Sequence, residues 1–205
     1  MNDFIVSIIE YARGISILEF LGLIFGLVTV NLLIKQDIKN WFFGIAYVLV
    51  SFVIFWQSRL YGDFLLHIVY LILNIYGWYN WSRPRGNEEL TVTTQSSQQA
   101  IISLVLTSIG ILLFAQFLIA LPSIFENLDP AALPYWDSTT TVLSVTAMML
   151  TAQKKLENWI YWLVVDILST GIYFYKELYF YSLLYFIYIG FAVWGYRSWL
   201  KSYRS

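Results

Sequence analysis

The chain has 205 residues, of which 59% are hydrophobic and only 12% are charged. Soluble domains are about 45–50% apolar and about 25% charged, so a water-soluble globule of this composition would expose a large apolar area. The formal net charge of −1 offers no basic surface for nucleic acid, and the absence of cysteine excludes disulfides and thiolate chemistry. The composition therefore predicts an integral membrane protein.

Apolar runs separated by short polar segments make up most of the chain. Residues 1–16 contain Glu10 and Arg13 and predict an amphipathic lead-in, without the basic start and A-x-A site of a signal peptide. Seven runs follow, each close to the roughly 20 residues that a transmembrane helix needs. Because backbone polar groups must be paired inside lipid, we expect seven transmembrane helices and an all-α fold. The runs are 17–34, 41–57, 64–81, 100–121, 136–152, 159–175 and 179–199.

Positive charges are unevenly divided between the two sides of this layout. The positive-inside rule predicts an external N-terminus and a cytoplasmic C-terminus, with 82–99 as a polar cytoplasmic linker and 200–205 as a cytoplasmic tail. The cytoplasmic set is Lys35, Lys39, Arg83, Arg85, Lys154, Lys155, Arg197, Lys201 and Arg204, and the outer set is Arg13, Arg59 and Lys176.

The chain repeats itself at an offset of 118 residues. Segment 38–83 aligns with 156–201 without a gap and shares Asn-Trp starts, Leu-Tyr turns and Gly-x-x-x-Trp ends. We therefore expect a three-helix repeat over 17–81, a connector helix over 100–121 and a second repeat over 136–199. The single connector gives both repeats the same orientation, as in transporters whose substrate site lies between parallel halves.

A carboxylate lies in the middle of the sixth run. Trp159, Trp162 and Asp166 are spaced i, i+3, i+7 and share one helix face. A buried acid beside indole rings suits a flat cation, which gains charge balance and cation–π attraction. The alternative is an Asp that is protonated or bonded to a neighbouring helix.

His67, Tyr70 and Asn74 repeat that spacing in the third run. His67 could contact a ligand, make a structural hydrogen bond or carry a proton, and Asn74 could bind substrate or link helices. No second His and no Cys accompany it, so we expect no metal site. Tyr47 and Gln57 could line the same cavity, although packing or interface roles are favoured for them.

Other short motifs add one contact and exclude several activities. Gly22 and Gly26 match G-x-x-x-G, which predicts a close helix contact. The nucleotide-binding motif G-x-x-x-x-G-K-[ST] and the catalytic motifs G-x-S-x-G and H-E-x-x-H are absent, so we expect neither an enzyme nor ATP hydrolysis. The rival interpretations are a membrane enzyme acting on lipid-linked substrates and the substrate-binding subunit of an ATP-driven importer.

The chain contains three distinctive segments: Asn-Ile-Tyr-Gly-Trp-Tyr-Asn-Trp (74–81), Pro-Tyr-Trp-Asp-Ser (134–138) and Glu-Asn-Trp-Ile-Tyr-Trp (157–162). With the three-one-three layout, they resemble the PnuC family of vitamin transporters over roughly residues 18–201. The resemblance implies uptake of nicotinamide riboside, thiamine or riboflavin by facilitated diffusion across the bacterial inner membrane. It also implies a homotrimer with an architecture similar to SWEET transporters, and no cofactor.

The resemblance can be followed residue by residue. Trp159, Trp162 and Asn74 match the family pattern. Members that carry nicotinamide riboside have Asn, Gln and Asn where this chain has Tyr47, His67 and Asp166. Amides suit ribose hydroxyls, whereas a carboxylate also suits the aminopyrimidine and thiazolium of thiamine. Nicotinamide riboside is the family default and thiamine is the close alternative.

Overall fold

The computed structural model describes residues 2–57, 61–83, 90–124, 131 and 133–205. Within these ranges the regular secondary structure is helical, and one isolated β-bridge joins Thr93 and Lys155. The helices are α1 (Asn2–Gly14), α2 (Ile17–Ile34), α3 (Lys39–Gln57), α4 (Tyr61–Ser82), α5 (Ser97–Ile124), α6 (Pro134–Ala152), α7 (Asn158–Tyr175) and α8 (Tyr179–Arg204). Two charges used for orientation, Arg59 and Arg85, lie outside the described residues.

Each of the seven expected runs coincides with one of the helices α2 to α8, and local capping explains where two of them begin. At the start of α2, Ser16 and Glu19 form a reciprocal capping box. Ser96 and Gln99 exchange the same pair of hydrogen bonds at the start of α5. That cap lets α5 begin at Ser97, three residues before the apolar run starts.

Four of the described helices, α2, α3, α5 and α8, are by length and composition able to cross a membrane. The other three long helices, α4, α6 and α7, carry buried polar side chains such as His67, Ser144 and Asp166. Polar groups at membrane depth face the protein interior rather than lipid, and they lower the mean hydropathy of these helices. The structure is that of an all-α membrane protein.

The long helices pack as two triplets. In the first, α3 packs against both α2 and α4, and in the second, α7 packs against both α6 and α8. The triplets meet where α4 contacts α6 and where α2 contacts α8, while α5 packs on α6 and α1 on α8. Adding 118 to the residue numbers of α2, α3 and α4 gives the positions of α6, α7 and α8. The contact of α4 with α6 in one direction therefore corresponds to the contact of α8 with α2 in the other.

Individual side-chain contacts are also repeated at the offset of 118 residues. A Cβ added to Gly77 would overlap the Trp41 ring, and one added to Gly195 would overlap the Trp159 ring. Across the triplets, Trp81 Nε1–H donates to the Thr151 carbonyl at 3.3 Å, and Trp199 Nε1–H donates to the Leu33 carbonyl at 3.1 Å. Asn80 and Ser198 likewise donate to the carbonyls of Ala152 and Ile34. These paired hydrogen bonds join the helix ends on one side of the molecule.

The polar segment before α5 packs more closely than a linker would. Residues 90–96, here called the strap, cross the turn between α6 and α7: Thr93 N–H donates to Lys154 O, and Leu156 N–H donates to Thr93 O. Lys154 Nζ donates to Leu90 O, and Val92 is buried in a cluster at these helix ends. The two buried apolar residues, Leu90 and Val92, alternate with threonines. This alternation is too short to be recognised as a strand pattern in the sequence.

The close fit of Gly195 against Trp159 gives a test of packing. We expect Gly195→Ala to lower the free energy of unfolding by about 1–3 kcal/mol, because the added methyl displaces the indole ring. Thermal unfolding of the purified protein measures the change. Gly190→Ala on the same helix is the matched control, since its Cβ would meet no described atom within 4 Å. Equal stability of the two variants would contradict this packing account.

Candidate functional site

Aromatic rings surround the single histidine between α3 and α4. The ring centroid of His67 lies 4.7 Å from that of Phe55, 5.2 Å from that of Tyr70 and 6.0 Å from that of Tyr47. His67 itself is only 6% exposed. Helical spacing puts His67 and Tyr70 on one face of α4, which faces the middle of the molecule. The first triplet therefore supplies an aromatic wall with polar tips.

The second triplet supplies a buried carboxylate. Asp166 is 5% exposed, and no described side chain donates a hydrogen bond to it or forms an ion pair with it. One turn earlier on α7, the Trp162 indole N–H donates to Thr151 Oγ1 at 3.3 Å. The Trp162 ring also packs against the buried apolar cluster at the helix ends, which contains Val92. Asp166 is therefore a buried acid without a protein cation among the described residues.

Two tyrosines of α8 complete the arrangement. The rings of Tyr185 and Tyr188 meet edge to face, with centroids 5.9 Å apart. Tyr185 lies within electrostatic range of Tyr47 and Tyr70, and Tyr188 lies within that range of Tyr47 and Asp166. Residues of both triplets are therefore near one another here, and this group is called the central cluster: Tyr47, His67, Tyr70, Asp166, Tyr185 and Tyr188.

Sequence reasoning missed both α8 tyrosines, although the repeat contained the signal. The offset of 118 pairs Tyr70 with Tyr188 and His67 with Tyr185. The edge-to-face contact of Tyr185 with Tyr188 corresponds to that of His67 with Tyr70, whose centroids lie 5.2 Å apart. Carrying each candidate of the first repeat to its partner in the second would have found them.

Four residues singled out from the sequence lie outside the central cluster: Trp162, described above, and the three that follow. Trp159 is 2% exposed and packs against Gly195 and Trp199 at the start of α7. Asn74 donates from Nδ2 to the Tyr70 carbonyl of its own helix at 2.8 Å, and its amide packs against Gly44. Gln57 is exposed at the last residue of α3. The contacts of Trp159 and Asn74 are those of helix packing.

Two pockets among the described residues lie elsewhere. One is a shallow depression beside Arg197, Lys201 and Arg204 at the end of α8. The other is an apolar groove along the side of the bundle, lined by residues such as Trp136 and Tyr175. Neither contains a member of the central cluster, so the candidate site rests on the cluster's chemistry.

The chemistry of the central cluster is that of a cation site. It combines one carboxylate with tyrosine rings, whose faces attract positive charge. Its hydroxyls and imidazole can hydrogen-bond to a polar ligand. Among the described residues no group of three His, Asp or Glu side chains is placed to hold a metal ion. A flat organic cation with polar substituents fits this set of groups.

Comparison with known proteins finds relatives over nearly the whole chain. A family model described as nicotinamide mononucleotide transporter matches residues 16–201. The nicotinamide riboside transporter PnuC of Escherichia coli (strain K12) is 32% identical, over 93% of this chain and 87% of that protein. The riboflavin/roseoflavin transporter RibM of Streptomyces davaonensis is 28% identical, over 91% of this chain and 86% of that protein.

A solved structure shares the fold. The crystal structure of the vitamin B3 transporter PnuC aligns with a TM-score of 0.72, covering 98% of this chain and 88% of that chain. The aligned sequences are 22% identical, so this likeness concerns the fold alone.

Proposed function

The chain belongs to the nicotinamide mononucleotide transporter family, and we propose that it carries nicotinamide riboside into the cell by facilitated diffusion. As a member, it is a vitamin transporter rather than an enzyme, and a multi-pass protein of the inner membrane. The observation that supports a cationic substrate is Asp166, a buried carboxylate on α7, and membership of the family makes nicotinamide riboside the first choice among such cations. Nicotinamide riboside has the complementary features: a flat ring with one positive charge, a carboxamide and ribose hydroxyls.

Each group of the proposed site has a role. Asp166 balances the positive charge of the ring, and Trp162 offers an indole face one turn away for stacking. Tyr47, His67 and Tyr70 supply hydrogen bonds from the opposite triplet to the carboxamide and the ribose. We leave Trp159, Asn74 and Gln57 out of this site, since the first two are engaged in packing and the third is exposed.

The transport cycle we propose is alternating access between two parallel three-helix halves joined by α5. At the offset of 118 residues, the contact of α4 with α6 corresponds to the contact of α8 with α2. This correspondence supports two halves with the same orientation, related by an axis along the membrane normal. The four hydrogen bonds at the helix ends, two of them from Trp81 and Trp199, close the cytoplasmic side. Rocking of the halves would break these bonds and open the site inward, with no ATP or ion gradient required.

The orientation and the assembly are part of the same proposal. The excess of Lys and Arg on one side favours an external N-terminus and a cytoplasmic C-terminus. We further propose a homotrimer, which the resemblance to PnuC transporters supports.

Thiamine is the second candidate, because one observation favours it. The Asp166 carboxylate accepts no hydrogen bond from a described side chain and could pair with the aminopyrimidine, while the thiazolium supplies the positive charge. Riboflavin fits less well, because its isoalloxazine is neutral and would leave the buried carboxylate without a counter-charge. Co-purification of an ATPase would favour a subunit of an ATP-driven importer instead.

Removing the charge of Asp166 tests the site. We expect Asp166→Asn to weaken binding of the cationic vitamin by roughly 10- to 100-fold, as when a hydrogen bond to a charged group is lost. Thermal-shift titration of the purified protein with nicotinamide riboside, thiamine and riboflavin measures this and identifies the substrate. Asp137→Asn, which removes a carboxylate paired with Lys176 at 3.2 Å, is the matched control. Unchanged affinity in Asp166→Asn would overturn the role of this residue.

The energy source is tested in proteoliposomes. We expect substrate to equilibrate across the membrane without ATP and without an ion gradient, and labelled substrate to exchange with unlabelled substrate inside. Radiolabelled uptake, with and without an imposed pH difference, measures this. Accumulation driven by the pH difference would refute facilitated diffusion and assign proton coupling to His67.

A further inference from the structure

Two tyrosines related by the repeat each extend from one triplet to the other, but they meet different residues. Tyr70 of α4 extends to α6, where its hydroxyl lies 2.5 Å from Ser144 Oγ. The residue that corresponds to Ser144 in the first triplet is Gly26 of α2. Tyr188 of α8 extends to that glycine, and a Cβ built there would lie 3.2 Å from Tyr188 Oη.

The hydroxyl of Tyr70 is committed to this contact. Ser144 Oγ donates its single proton to the Thr141 carbonyl at 2.9 Å. Ser144 must therefore accept from Tyr70, whose proton is used between the triplets. Tyr70 consequently holds α4 against α6, and its hydroxyl proton is engaged there rather than with a ligand.

The hydroxyl of Tyr188 is not committed in the same way. Glycine has no side chain to accept its proton, and no hydrogen bond joins Tyr188 Oη to any described residue. The hydroxyl lies near the ring of Tyr47, which is 3.9 Å from the same built Cβ, and within electrostatic range of Asp166. A donor for which the described residues provide no acceptor thus lies within electrostatic range of the Asp166 carboxylate.

We propose that Tyr188 is a specificity-determining residue, whose hydroxyl donates a hydrogen bond to a polar substituent of the bound cation, and that Gly26 keeps this hydroxyl available. The inference rests on the proposed function, since it concerns the same site. The ligand class is a flat organic cation that carries a hydrogen-bond acceptor close to its charged ring. The carboxamide oxygen of nicotinamide riboside and the pyrimidine nitrogens of thiamine are such acceptors.

Placing a serine at position 26, where the second triplet has Ser144 at the corresponding position, tests this proposal. In Gly26→Ser, a serine hydroxyl comes within reach of Tyr188 Oη and recreates the pairing of Ser144 with Tyr70. We expect the dissociation constant for nicotinamide riboside, measured by calorimetry on the purified protein, to rise roughly 3- to 10-fold. Tyr188→Phe, which keeps the ring and removes the donor, should give the same rise.

The double variant distinguishes capture of the hydroxyl from crowding. If the serine acts by engaging Tyr188, then Gly26→Ser adds no further loss in a Tyr188→Phe background. Gly26→Ala introduces the carbon without the hydroxyl and should cost less than Gly26→Ser. Gly110→Ser is the matched control, because its Cβ would lie 3.1 Å from Val142, between α5 and α6 and away from the cluster. Its dissociation constant should equal that of the unmodified protein.

Each result bears on the proposal. Unchanged affinity in Tyr188→Phe, or losses that add in the double variant, would overturn it while leaving the transport function intact. An Ala variant as weak as the Ser variant would assign the effect to crowding and would overturn the role of the hydroxyl. If the unmodified protein binds neither nicotinamide riboside nor thiamine, the proposed function fails and this inference fails with it.

Discussion

A carboxylate enclosed by transmembrane helices costs free energy unless a positive charge meets it. Asp166 is buried on α7, and none of the described Lys or Arg side chains forms an ion pair with it. The positive charge must therefore come from outside the protein or the carboxylate must hold a proton. A flat vitamin cation satisfies this requirement and also uses the surrounding rings. In the function we propose, the class of substrate and the location of the site depend on this single buried acid.

The frame around Asp166 is nearly symmetric, whereas the site is not. Trp41 and Trp159 pack on equivalent glycines, and the cross-triplet hydrogen bonds come in pairs. The centre differs between the halves: Val48 corresponds to Asp166 and Gly26 corresponds to Ser144. In the transport cycle we propose, a symmetric frame lets the halves move against each other, and an asymmetric centre lets them hold one ligand in one orientation.

The helices could be predicted because the length of an apolar run is set by bilayer thickness, and the sequence shows that length directly. The depth of a residue in the membrane and its contacts with other helices are not local properties of the sequence. The prediction of the site residues was incomplete for this reason. The spacing of Trp159 and Asp166 places both on one face, but they lie two turns apart, and Gly195 accepts the indole at one end of the bundle. Tyr188 could have been found only by carrying Tyr70 across the repeat.

In the function we propose, the buried carboxylate of Asp166 recognises a positive charge on the ligand. Calorimetric binding of nicotinamide riboside and of its dihydro form tests this most directly, since the dihydro form keeps the carboxamide and ribose but has an uncharged ring. We expect the cation to bind at least about tenfold more tightly, as hydrogen bonds and contacts to a charged group exceed those to a neutral one. Equal affinity, or tighter binding of the neutral form, would contradict the account.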